Sequence, residues 1–112
     1  MKIFALLISA LLTATPCLAG QVTQGDLKIT KAMAGYQEGQ IYFYIDKTPQ
    51  NPQNCTHTNS ENVLVVDPNK SEVSHVLSML LTAKASNANV EVQIYDDYCY
   101  GGYAAIRRVA VY

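Results

Sequence analysis

The hydrophobic period of the chain changes along its length, and the changes mark its elements. Between Asn69 and Asn87 apolar side chains fall at Val73, Val76, Leu77, Leu80 and Leu81. That i, i+3, i+4, i+7, i+8 spacing is one buried face of a helix. Asp67-Pro68 sets a turn ahead of it, and Asn69 with Glu72 has the spacing of a capping box. Asn87 marks the stop, after which the pattern alternates.

The rest reads as strand. Gln21 to Ala34 alternates loosely, with Leu27, Ile29 and Met33 inward. From Gln40 to Asp46, Ile41, Phe43 and Ile45 alternate with Tyr42 and Tyr44. The tyrosine side of that strand is amphipathic, suited to half-burial or an interface. Gly35 and Gly39 bracket a turn, so these two strands form a hairpin. Lys47 to Asn54 holds two prolines and is a loop. Asn62 to Val66 is a short central strand, and Val90, Val92 and Ile94 alternate with Glu91 and Gln93 in a fourth. Gly101-Gly102 signals a hairpin into a last strand, Ala104 to Tyr112. There Ile106 is out of phase with Val109 and Val111, which predicts a bulge near Arg107-Arg108.

The predicted order is β-β-β-α-β-β, a mainly β chain with one helix. One short helix cannot cover both faces of a five-stranded sheet. Bending the sheet into a small barrel plugged by the helix removes the conflict, which is the connectivity of an OB-like barrel. The alternative is an open α+β sheet with the helix on one face.

Composition changes the picture at the N-terminus. Lys2, the apolar run Ile3 to Leu12, Pro16 and Cys17-Leu18-Ala19 read as a signal peptide over residues 1–19. The run is too short to span a membrane. Removing those 19 of 112 residues leaves 93, one small OB-like domain over residues 20–112. Seven of the eight basic side chains then face nine acidic ones, a formal charge of −2. A nucleic-acid binder would be basic, so that class is excluded. No membrane span is expected after cleavage. Two cysteines remain, Cys55 and Cys99, and in a small exported domain they form one disulfide. Closing that loop stabilises the fold by about 4 kcal/mol in the chain-entropy model. A secreted or periplasmic location follows.

Catalytic chemistry finds no support. His57 and His75 stand apart from any ligand set, and no nucleophile motif or phosphate loop occurs. Asp96 and Asp97 are adjacent, which on a strand points them to opposite faces. No enzyme activity, metal or cofactor is expected. The segment Tyr95 to Tyr103, YDDYCYGGY, is the best binding candidate. Tyr95, Tyr98, Tyr100 and Tyr103 offer rings to apolar sugar faces, Asp97 accepts from hydroxyls, and Arg107 suits a carboxylate. On the helix, Ser74, Ser78 and Thr82 form a row of small residues that fits close approach by a neighbouring subunit.

Gln-Ile-Tyr-Phe-Tyr-Ile, a Cys soon after, Leu80-Leu81-Thr82-Ala83-Lys84-Ala85 and Val90-Glu91-Val92-Gln93-Ile94-Tyr95 together resemble small exported bacterial proteins related to the B subunits of subtilase cytotoxin and pertussis-like toxins. The resemblance covers Gln40 to Val111. It implies an OB-type barrel, one disulfide, a pentameric homo-oligomer, cell-surface glycan binding and an A subunit as protein partner. The expected function is a secreted non-catalytic binding module recognising glycans or a surface partner. The alternative is a monomeric periplasmic protein that binds or inhibits another protein.

Overall fold

The computed structural model describes residues 21–112, and the signal peptide expected over residues 1–19 lies outside the described residues. The elements are β1 (Gln21–Leu27), β2 (Ile29–Met33), β3 (Ile41–Ile45), α1 (Thr58–Glu61), β4 (Val63–Val66), α2 (Val73–Ser86), β5 (Val90–Tyr100) and β6 (Tyr103–Val111). The six strands form one sheet in the order β1-β5-β6-β4-β3-β2. Pairs are antiparallel except β4 with β6, which run parallel. The chain is mainly β, as expected, but the five-stranded closed barrel is corrected. The hydrogen-bonded sheet is open, its strands number six, and a short helix precedes β4.

The reason lies in the first expected strand, which divides. Asp26 takes φ +61°, and the register against β5 shifts between Gln24 and Leu27. A left-handed residue at a bulge re-aims the chain. β1 therefore pairs with β5 while β2 pairs with β3, at opposite edges of the sheet. Only Lys28 separates those edges along the chain. Two Cα–Cα steps reach at most about 7.6 Å, so the sheet curls until its edges meet at this corner. Loop contacts, and not a ladder, hold the corner. The Lys28 N–H donates to Asp46 Oδ1 at 2.8 Å, and the Asp46 N–H donates to the Lys28 carbonyl at 3.1 Å. Gln24 donates to the Thr48 carbonyl at 3.0 Å and accepts from the Gln50 N–H at 2.8 Å.

Helix α2 covers one face of the sheet. Leu27, Phe43, Leu64, Leu80, Ile94 and Ile106 are fully buried there, each side chain contributing roughly 1.5–3 kcal/mol. On the helix, Val76, Leu80 and Ala83 are buried and Val73 and Leu77 are half-buried. Leu81, expected inside, is 51 % exposed. It lies about 100° round the helix from Leu80, whereas Ala83 lies about 60° away on the other side and takes the inner position. The start of α2 is also corrected. Its N-cap position is Glu72, with no side-chain cap. Asn69 is committed to a turn built on Asp67, whose Oδ1 accepts the Asn69 N–H at 2.8 Å and whose carbonyl accepts those of Lys70 and Ser71. The stop is as expected: Asn87 is left-handed, φ 52°, and its N–H reaches the Ala83 and Lys84 carbonyls.

All four residues of β4 are buried. Alternation turns Leu64 and Val66 toward α2 and Val63 and Val65 the other way. The face away from α2 therefore has a cover of its own.

Candidate functional site

That cover is tyrosine. Seven of the eight tyrosines, all but Tyr112, collect on or around the face turned from α2. β3 supplies Tyr42 and Tyr44, because Ile41, Phe43 and Ile45 take the α2 side. The β2–β3 turn brings Tyr36 edge-on to Tyr42, ring centroids 4.8 Å apart. Tyr42 meets Tyr103 of β6 at 4.9 Å. Tyr103 meets the His57 ring at 5.3 Å. Tyr100 lies opposite Tyr103 across the hairpin.

The local sequence explains these placements. Cys99 pairs with Ala104 and Ile94 with Ile106, so Tyr95 to Tyr98 form a wide bulge opposite Ala105 alone. This bulge carries Tyr95 and Tyr98 together, 5.2 Å apart. Cys99 is bonded to Cys55, with a Cα–Cα distance of 5.7 Å. The disulfide ties the bulged arm to the proline loop. Gln53 adds a hydrogen bond to the Asp96 carbonyl. Past Cys55 the chain turns into α1, whose buried Thr58 accepts the Ala104 N–H at 2.6 Å. That contact sets His57 against the hairpin. Gly102 has φ +87°, and a Cβ there would lie 2.6 Å from His57 Cδ2. Only glycine permits both the turn and the approach.

Charges line the rings. Lys31 sits over Tyr44 at 5.0 Å, and Lys70 over Tyr98 at 3.8 Å and Tyr95 at 5.1 Å. Such contacts are worth about 0.5–2 kcal/mol each, depending on exposure. Three phenols donate to carboxylates: Tyr44 to Glu61 at 3.2 Å, Tyr98 to the buried Asp67 at 3.0 Å, and Tyr100 to Glu38 at 2.7 Å. Burial, followed by the hydrogen bond to Asp67 and its charge, pushes the Tyr98 phenol well up. Its bond to Glu38 and then burial push Tyr100 up to about 12. Burial and Glu61 raise Tyr44. These three phenols stay protonated and donating across the neutral range. The surface is half-exposed, aromatic and rimmed by acceptors, which suits it to binding.

Of the residues singled out from sequence, Tyr95, Tyr98, Tyr100 and Tyr103 all belong to this face. Asp97 is exposed on the bulge beside Tyr98. Arg107 is the unpaired residue of the expected bulge in β6, and its guanidinium donates to Gln21 at 2.8 Å. Ser74, Ser78 and Thr82 lie on the exposed side of α2, on the other face of the sheet. Ser78 donates to the Ser74 carbonyl at 3.0 Å and Thr82 to that of Ser78 at 2.8 Å. With the Ser78 and Thr82 hydroxyls turned onto helix carbonyls and Met79 and Leu81 39 % and 51 % exposed, this side of α2 is small and weakly polar. An apolar groove of about 520 Å³ runs between α2 and the β2–β3 turn, lined by Ala34, Ile41, Pro68, Val73 and Leu77 among others.

Sequence reasoning did not assign Tyr36, Tyr42, Tyr44, Lys70, Asp67, Glu38 or Glu61 to the site. The alternation of Tyr42 and Tyr44 against an aliphatic strand was the available signal; the partners of those rings come from segments remote in sequence. Among the described residues no three His, Cys, Asp or Glu side chains gather as metal ligands, and no helix is long and apolar enough to cross a membrane. No protein-family model, curated protein or solved structure matches the chain.

Proposed function

We propose that the protein is a secreted, non-catalytic binding module, similar in role to a toxin B subunit, whose tyrosine face recognises a cell-surface glycan or a surface partner. One observation carries the reading: tyrosines from the β2–β3 turn, β3, β5 and β6 converge on one half-exposed surface whose rim carboxylates accept hydrogen bonds. Aromatic rings give a rigid, amphipathic contact area at low entropic cost. Rim carboxylates suit hydroxyl donors. Tyr95, Asp97, Tyr98, Tyr100 and Tyr103 are the ligand-binding candidates, joined by Tyr42. Glycan-array binding by the oxidised protein, lost in Tyr42→Ala and Tyr103→Ala variants that keep their circular dichroism, is the expected result. An array without signal removes the glycan and leaves the surface partner.

A second observation favours self-association. The outer side of α2, with Ser74 small, the Ser78 and Thr82 hydroxyls bonded to helix carbonyls and Met79 and Leu81 exposed, fits a neighbouring subunit of a homo-oligomer, a pentamer in the toxin-like reading. Light scattering after size exclusion should give a mass near five protomers. A monomer at micromolar concentration supports the other reading, a periplasmic protein that binds or inhibits another protein.

A further inference from the structure

The charges on the tyrosine face narrow the chemistry of its ligand, given the reading of that face as a saccharide site. Its acceptors are abundant. Glu38 and Glu61 are each engaged through Oε2 by a tyrosine hydroxyl. Both side chains are exposed, and their Oε1 atoms have no protein partner among the described residues. Asp97 adds a third exposed carboxylate beside Tyr98. Its donors are phenols: the hydroxyls of Tyr42 and Tyr103 make no hydrogen bond within the described protein, while their rings hold the centre of the cluster.

Its two lysines lie over rings. Lys31 lies over Tyr44, and Lys70 lies over Tyr98 and Tyr95. Arg107, the residue suited by type to a carboxylate, donates to Gln21. An incoming anion would have to offset the carboxylates of Glu38, Glu61 and Asp97 and find a counter-charge at Lys31 or Lys70, which lie over rings, or at the exposed Arg107 or Arg108 of β6. A neutral sugar needs neither. Its C–H face can lie on Tyr42 and Tyr103, and its hydroxyls can donate to the open oxygens of Glu38 and Glu61.

We propose that the tyrosine face selects neutral pyranose-terminated saccharides and rejects acidic ones through the carboxylates on its rim. The test titrates the oxidised full-length mature chain with galactose- and glucose-terminated oligosaccharides, and with the same oligosaccharides capped by sialic acid. At low salt, capping should weaken binding at least about tenfold. Raising the ionic strength should narrow that ratio, because exposed charges are screened over about 8 Å at physiological salt. The Glu38→Gln, Glu61→Gln double variant should narrow it as well, with thermal melting used to confirm that it folds. Salt alone decides if it does not. Capped sugars bound as tightly as neutral ones, or more tightly, overturn the inference and leave the saccharide site standing. A ratio that neither salt nor the variant moves makes the selection steric and overturns the role given to the carboxylates. Retention of no sugar at all by the wild-type protein overturns the saccharide reading itself, and the inference with it.

Discussion

The two faces of the sheet are covered by different means. On one, α2 lays Val76, Leu80 and Ala83 over Phe43, Leu64 and Ile106, and the layer excludes water. On the other, tyrosine rings roof the buried Val63, Val65 and Ala105 while staying half-exposed themselves. The aliphatic layer has no polar atoms to satisfy, so it can be sealed. The tyrosine layer has a hydroxyl on each ring, so it settles at the water boundary with Asp67, Glu38 and Glu61 as acceptors. A sealed face supplies stability. A wet aromatic face supplies less and keeps surface available for a partner.

The sharpest way to separate the faces is through the disulfide. It ties the bulged arm that carries Tyr95, Tyr98 and Tyr100 to the proline loop. Replacing Cys55 and Cys99 with Ala should cost about 4 kcal/mol in urea unfolding. Hydrogen exchange in the variant should quicken first in Tyr95 to Tyr103, while the amides around Leu80 keep their protection. Equal loss on both faces would show that the disulfide holds the fold as a whole.

Neighbouring residues of β3 allow a direct contrast. Phe43→Ala empties the sealed face and should cost roughly 3.5 kcal/mol. Tyr42→Ala truncates a half-exposed ring and should cost about half as much by buried area, yet Tyr42→Ala is the variant expected to lose ligand. Comparable penalties in urea titrations would break the comparison.

Tyr98→Phe keeps the ring under Lys70 and removes only the donor to Asp67. A bond to a buried carboxylate is worth about 1.5–3 kcal/mol, and the loss should fall near 2. The same variant tests the pH dependence. Tyr98, Tyr100 and Tyr44 are raised in the folded state, while an unfolded tyrosine titrates near pH 10. Above that pH the unfolded chain releases protons that the folded chain keeps. The stabilisation is therefore complete below about pH 10 and is lost as pH climbs through the folded values. Thermal midpoints should fall from about pH 10 upward, less steeply in Tyr98→Phe.

The smallest effect is expected at the hairpin turn. Gly102→Ala should cost about 1–2 kcal/mol for its φ of +87° and should displace the His57 ring. Combined with His57→Ala, the steric part should vanish and the conformational part remain. A double-mutant cycle with no coupling would show that His57 moves freely.

Much of this was legible from residue order. Ile41, Phe43 and Ile45 alternate, as do Val90, Val92 and Ile94, and all six reach the α2 face. Asn87 ends α2, Gly101-Gly102 makes its hairpin, and the bulge at Arg107 is present. Other readings failed where a neighbour outcompeted a local signal. Asp67 captured the Asn69 N–H, which a capping box would have given to the Glu72 side chain. Ala83 took the place of Leu81 because the helix meets the sheet on that side of Leu80. Asp26 broke a strand that alternation alone would have continued.

By itself, the sequence determined which side of each regular element is apolar, where the chain turns, and that Cys55 and Cys99 are the two cysteines beyond residue 19. Those are properties of residues a few positions apart, governed by the periods of helix and strand and by the backbone freedom of glycine and asparagine. Only the tertiary structure decided that β1 and β2 lie at opposite edges of an open sheet and that tyrosines from separate segments form one surface. Glu38 meets Tyr100 across 62 residues. Such a contact follows from strand order and register, which no local period encodes.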